Sequence, residues 1–245
     1  LSLHDALPIS IVFFLVCMFC GEVQAVQVFH EQVKVKDSNE LIWEQLGTQE
    51  FDELVVSWNA NRPVQGYYLV SLSVLVENTW SSWLPYAQWG SDYQKTFHSK
   101  DELGLAKTYQ DTLDLIDDNQ ASGFKVRVEA YDGASLQEWR TTHACISDKD
   151  SRAKDIVLNE EKDVLLQDSH LSQMSLEHPR NYDLCSATSA AAVVKYLKQD
   201  QNIDAREVAQ GALDSGFDIY GNWIFCTAQS ATMLGSEWSS WVGRL

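Results

Sequence analysis

The chain has 245 residues, 45% of them hydrophobic, which is enough for one large or two ordinary domains with real cores and too apolar for global disorder. Its formal net charge of -17 and the lack of any Lys/Arg cluster argue against nucleic acid or an anionic membrane as partner, because phosphate surfaces repel such a chain.

Residues 9–20 form an almost unbroken apolar run, followed by Gly21, Glu22 and Val23-Gln24-Ala25. The pattern predicts a signal peptide over residues 1–25, removed near Ala25, and hence a secreted or periplasmic mature protein. The run is too short for a stable membrane span; a buried amino-terminal helix or strand is the other reading. Residues 1–10 contain no Lys, Arg or initiating Met, read as a non-native opening, and are set aside for fold reasoning. Cleavage leaves Cys145, Cys185 and Cys226, an odd count for an exported protein, so at least one thiol is unpaired within the chain. Cys185 is the candidate. Cys145 and Cys226 either pair or are simply buried as small hydrophobes, and burial is the preferred reading.

Residues 26–150 read as a β-sandwich domain of jelly-roll or similar type. Strands are expected over residues 33–36, 54–58, 66–76 and 141–146. In residues 66–76, Tyr68, Val70, Leu72, Val74 and Val76 alternate with Ser71, Ser73 and Glu77, the signature of a half-buried strand. Residues 108–115 alternate in the same way, and after a polar turn over 117–123 Phe124, Val126, Val128 and Ala130 alternate with Lys125, Arg127 and Glu129. These two stretches are expected to pair as a hairpin with a long loop. Trp80, Trp83, Tyr86 and Trp89 crowd one segment: such rings stack on sugar faces or plug the end of a sandwich core, and the core reading is preferred. Residues 151–168 are dense in Asp, Glu and Lys and read as a charged linker.

Residues 169–245 read as helical, with helices over 186–198, 204–213 and 223–234. Cys185 precedes the alanine-rich first of these, which puts its sulfur at a helix tip where unpaired backbone N–H groups and the helix dipole favour a thiolate. A cysteine among alanines is also an ordinary small buried residue, so the downstream sequence carries weight. Cys185-Ser186-Ala187-Thr188-Ser189, with Ser172-Gln173-Met174 before it and Tyr220-Gly221-Asn222-Trp223-Ile224-Phe225 after it, resembles the papain-fold branch of bacteriocin-processing cysteine peptidases. This is family thirty-nine of the cysteine peptidases, together with its secreted relatives. Its first-described members trim leader peptides after double glycines inside export transporters. The likeness is strong in the last third of the chain and weaker in the β-rich segment.

The resemblance implies an α+β fold in which the sandwich is followed by the helical lobe of a papain-like cysteine peptidase, and a peptide or protein substrate. It implies Cys185 as nucleophile, with its own N–H and the Gln173 side-chain amide as oxyanion donors. The 12 residues from Gln173 to Cys185 exceed the family spacing of about six, so the loop through Pro179 has to fold back. No histidine follows Cys185, whereas the family takes its His and its Asp or Asn from a later β-barrel lobe; the chain is therefore expected to be truncated, its peptidase domain incomplete and itself inactive. His178 reads as a solvent-exposed loop residue, and Asp214 and Asp218 as turn and cap residues. No metal, cofactor or phosphate-loop signature is present. The alternative function is a secreted glycan- or envelope-binding protein whose papain-like part is non-catalytic; a third option keeps the thiol as an acyltransferase.

Overall fold

The computed structural model describes residues 26–32, 38–149 and 171–243. The proposed signal peptide, the strand expected over 33–36 and the charged linker over 151–168 lie outside these residues.

Among the described residues, twelve strands build two antiparallel sheets. One contains β1 (Val26–Gln32), β3 (Glu53–Ala60), β8 (Ser99–Lys100), β9 (Ala106–Tyr109), β10 (Thr112–Leu115) and β12 (Trp139–Ser147), in the order β1-β12-β3-β10-β9-β8. The other contains β2 (Glu40–Phe51), β4 (Tyr67–Val76), β6 (Leu84–Gly90), β7 (Gln94–Thr96) and β11 (Ala121–Tyr131), in the order β2-β11-β4-β6-β7, with the short β5 (Thr79–Trp80) paired to β4. The sheets share one core. Tyr68, Val70, Leu72, Val74 and Val76 all point into it, as the alternation requires. Tyr86 Oη, from the second sheet, accepts the Val56 N–H of the first at 3.2 Å, and Phe29 meets Phe124 edge-on at 5.6 Å. Trp58, Trp89 and Trp139 are fully buried, and the Trp58 ring contacts both of the others. Each removes roughly 150–250 Å² from water, about 4–6 kcal/mol of transfer energy apiece before ordering entropy is charged.

Two sequence expectations are corrected here. Residues 108–115 do not pair with residues 124–130. Gln110 adopts a left-handed φ of 53° and reverses the chain inside that stretch, so β9 and β10 form their own hairpin and β10 joins β3, while β11 lies in the opposite sheet between β2 and β4. The outer face of β4 is also not open to solvent: Ser71 and Ser73 are buried, and Ser73 Oγ donates to the Ser81 carbonyl at 2.8 Å because the segment after β5 folds over it.

Among the described residues three α-helices follow: α1 (Cys185–Lys198), α2 (Ala205–Ala212) and α3 (Trp223–Leu234). They pack on one another, with Leu184, Ala187, Ala191, Val208 and Ala209 forming a small core where alanine lets α1 and α2 approach closely. α3 also lies along β3, and its Ile224, Phe225 and Ala228 belong to the sandwich core; the Phe225 ring stands 6.2 Å from that of Trp58. The chain after α3 returns along β3, where Ser240 N–H donates to Asn59 Oδ1 at 2.9 Å and Val242 N–H to Ser57 Oγ at 3.0 Å.

Polar groups pin the sandwich to the helices. Asp214, fully buried in the α2–α3 connection, accepts Thr96 N–H (3.0 Å), Gly216 N–H (2.9 Å), Asn222 Nδ2 (3.0 Å) and the Thr96 hydroxyl. Arg62 sends Nη1 to the Gly90 carbonyl and Gln94 Oε1, and Nη2 to the Gly211 carbonyl and Gln229 Oε1, with its guanidinium over the Trp89 ring. Burial pulls its pKa down to about 10, which still leaves it charged at neutral pH.

Candidate active site

The helix headed by Cys185 differs from its two neighbours at its start. Asp204 accepts from Arg206 N–H at the head of α2, and Asn222 accepts from Phe225 N–H at the head of α3. α1 has Leu184 at that position, so no side chain caps it, and its first turn holds no acidic residue. The unused N–H groups and the positive end of the helix dipole are thus left for a thiolate or an oxyanion beside Cys185. Cys185 is exposed, its Sγ 3.9 Å from Ser186 Oγ. It is not packed as a hydrophobe.

The other two cysteines are. Cys145 and Cys226 are buried as thiols, not joined in a disulfide. Burial, with a smaller contribution from nearby Cys185, pushes the Cys226 thiol up to about 12, so it stays protonated. Cys226 lies in the first turn of α3 and Cys185 in the first turn of α1, and these two helices pack on each other. The Tyr220-Gly221-Asn222-Trp223 stretch runs past the tip of α1: a β-carbon on Gly221 would stand 3.9 Å from Ser186 Oγ.

Gln173 sits in a one-turn 3₁₀ segment, Gln173–Ser175. The Gln173 amide Nε2 donates to the carbonyls of Tyr182 (2.9 Å) and Asn181 (3.1 Å), in the turn that delivers the chain into Cys185. Both of its N–H groups are therefore engaged by main chain.

Arg180 ties that turn to the α2–α3 connection, pairing with Asp183 (2.9 Å) and Asp218 (2.7 Å) and lying over the Tyr220 ring. His178 is half-buried rather than fully exposed: its ring meets Tyr220 edge-on at 5.5 Å and its Nδ1 accepts the Arg180 N–H at 3.1 Å. It makes no hydrogen bond to Cys185. Asp218, at a left-handed φ of 53°, is the turn residue expected, whereas Asp214 is the buried tie described above. Among the described residues no group of three or more His, Cys, Asp or Glu side chains could hold a metal ion.

Sequence reasoning did not single out Arg180 or Asp214 for these roles. An arginine five residues before the cysteine and an aspartate amid Leu213 and Ser215 carry no local signal of the distant groups they join.

The aromatic segment splits in two. Trp89 and Tyr86 are fully buried in the core, as preferred, while Trp80 and Trp83 lie half-buried under Lys125 (3.8 Å) and Arg127 (4.7 Å). Those cations cover ring faces a sugar would need.

Residues 42–143 match a family model described as the Peptidase C39 N-terminal domain. The match runs from within β2 to within β12, so it falls on the sandwich and stops short of Cys185. It supports a C39-related family, and from a part of the chain separate from the cysteine motif. No curated protein and no solved structure matches the chain. No helix among the described residues is long and apolar enough to cross a membrane.

Proposed function

We propose that this chain belongs to an exported cysteine hydrolase, a papain-like peptidase, in which Cys185 is the thiolate nucleophile. The observation that carries the reading is the exposed Cys185 thiol at the uncapped tip of α1, with the Tyr220–Trp223 turn alongside. The sandwich match to a peptidase-associated domain supports it independently.

In this reading Cys185 Sγ attacks the carbonyl carbon of a peptide bond, and the carbonyl oxygen takes up negative charge facing the first-turn N–H groups of α1. Collapse of the tetrahedral intermediate breaks the C–N bond, the amine leaves with a proton from an imidazole, and water then releases the thioester. None of the described histidines hydrogen-bonds Cys185, so the proposal assigns that imidazole and its Asp or Asn partner to residues outside the described ones. Gln173 holds the turn ahead of Cys185; its role as a second oxyanion donor requires one N–H to be released from a carbonyl. Domain boundaries at residues 26–150 and 169–245, and export after cleavage near Ala25, belong to the same proposal.

The experiment is peptide turnover by the complete gene product and by its Cys185→Ala variant. Turnover that survives the substitution removes Cys185 as the nucleophile, and no turnover by either protein favours a binding protein with a non-catalytic papain-like part.

A further inference from the structure

One concave site lies on the sandwich and owes nothing to the cysteine. It opens on the outer face of the second sheet, at the end where β4, β6 and the β6–β7 turn meet, with a cavity volume of about 270 Å³. That lies near the ~300 Å³ lower end of small-ligand pockets, room for a sugar ring or two rather than a peptide. Its wall contains Tyr67, Gln88, Gly90, Asp92, Tyr93 and Asp132.

Gln88 supplies the amide of the wall. On β6 it alternates with core-facing Trp89, so its side chain points to the outer face, where it is only 8% exposed. Its amide nevertheless makes no hydrogen bond to any described residue. The remaining exposed surface of Gln88 faces the cavity, where its amide is open to a ligand. Asp92 and Asp132 carry no paired cation among the described residues, and no cationic side chain lines the wall. Tyr67 is held by a stacked Tyr131, ring centres 5.2 Å apart, while Tyr93 is half exposed at the rim. The floor is backbone: a β-carbon on Gly66 would meet the Tyr131 carbonyl at 2.1 Å, and one on Gly90 the Tyr93 carbonyl at 3.0 Å.

We propose that this pocket binds a neutral saccharide, with the Gln88 amide and the Asp92 and Asp132 carboxylates hydrogen-bonding sugar hydroxyls and a tyrosine ring lying against the C–H face. The lining selects for that chemistry. Carboxylates repel anions, the polar wall disfavours an apolar ligand, and a polyol offers the O–H donors that carboxylates accept. The covered rings of Trp80 and Trp83 take no part.

The test is saturation-transfer NMR of the full chain with cellobiose, maltose and N,N′-diacetylchitobiose at millimolar concentration. At least one disaccharide gives transfer in the wild type. Gln88→Leu, close in shape, weakens it tenfold or more without lowering Tm, and Cys185→Ala leaves it unchanged. Tyr93→Ala at the rim carries the comparison should Gln88→Leu not fold. No transfer with any of the three sugars, equal transfer in Gln88→Leu and Tyr93→Ala, or a response to calcium chloride alone overturns the proposal.

Discussion

Gly221 faces Ser186: a β-carbon there would sit 3.9 Å from the serine Oγ, so the turn that opens α3 passes directly beside the tip of α1. Two stretches 35 residues apart, Cys185-Ser186 and Tyr220-Gly221, thereby form one surface around an exposed thiol. Gly221→Val would bring methyl groups into that space. We expect loss of thiol-dependent turnover with a Tm within a few degrees of wild type, checked by pairing the peptide assay with thermal unfolding; unchanged turnover would show that the contact is incidental.

The three cysteines are predicted to separate by reactivity. With iodoacetamide at pH 8, Cys185 is modified while the chain stays folded, and Cys145 and Cys226 only after unfolding, since burial holds the Cys226 thiol at about 12. Peptide mapping by mass spectrometry after timed labelling reads this out. Labelling of Cys226 at the rate of Cys185 would contradict it.

Gln173 is predicted to be a positioning residue first. Gln173→Ala removes two hydrogen bonds to the turn before Cys185, at a cost of roughly 1–2 kcal/mol in urea unfolding. A residue acting only as an oxyanion donor would lower kcat by about 10²–10³ and leave stability unchanged. Measuring both quantities on one variant distinguishes the roles.

Asp214 is predicted to dominate the junction of sandwich and helices. Asp214→Ala leaves the Thr96 and Gly216 N–H groups, the Thr96 hydroxyl and the Asn222 amide without their acceptor. We expect a loss of about 3–5 kcal/mol in urea unfolding. A loss under 1 kcal/mol would mean that the junction tolerates the hole.

Stability is predicted to fall in mild acid because of His143. Its Nε2 lies 2.5 Å from the Asn59 amide nitrogen, a donor, so the neutral ring carries its proton on Nδ1 and gives it to His30 Nδ1 at 2.6 Å. Burial, then His30, depresses the His143 pKa to about 4 from an ordinary 6.5. The unfolded chain therefore binds the extra proton first, and stability contributed above pH 6.5 is lost as pH falls toward 4. The contribution is about 3 kcal/mol at most, at ~1.36 kcal/mol per pK unit. Urea midpoints between pH 4 and 7 should drop less for His143→Gln; parallel slopes would contradict the assignment.

Much of this was legible in the chain. The helix expected over 186–198 matches α1 to within a residue, and α3 matches its expected span, because helical periodicity is a local property. The alternation from Tyr68 to Val76 gave the buried face of β4 for the same reason. What failed were long-range facts. Gln110 has no glycine or asparagine to announce its left-handed turn, so one hairpin was read as a single strand. Ser71 and Ser73 read as solvent-facing because nothing near them reveals the segment folded above. At the site, Cys185 was visible from its place before an alanine run, whereas the turn-tying role of the Gln173 amide depends on a loop closure that sequence spacing only hinted at.

The nucleophile is tested most directly by an electrophile that reads a peptide pocket as well as a thiol. A peptidyl vinyl sulfone is incubated with the protein produced from the complete gene, and the labelling rate is compared with that of the same protein unfolded in urea. The account predicts one adduct, on Cys185, formed at least tenfold faster in the folded protein and absent in Cys185→Ala. Labelling no faster than in urea, or an adduct that persists in Cys185→Ala, would contradict it.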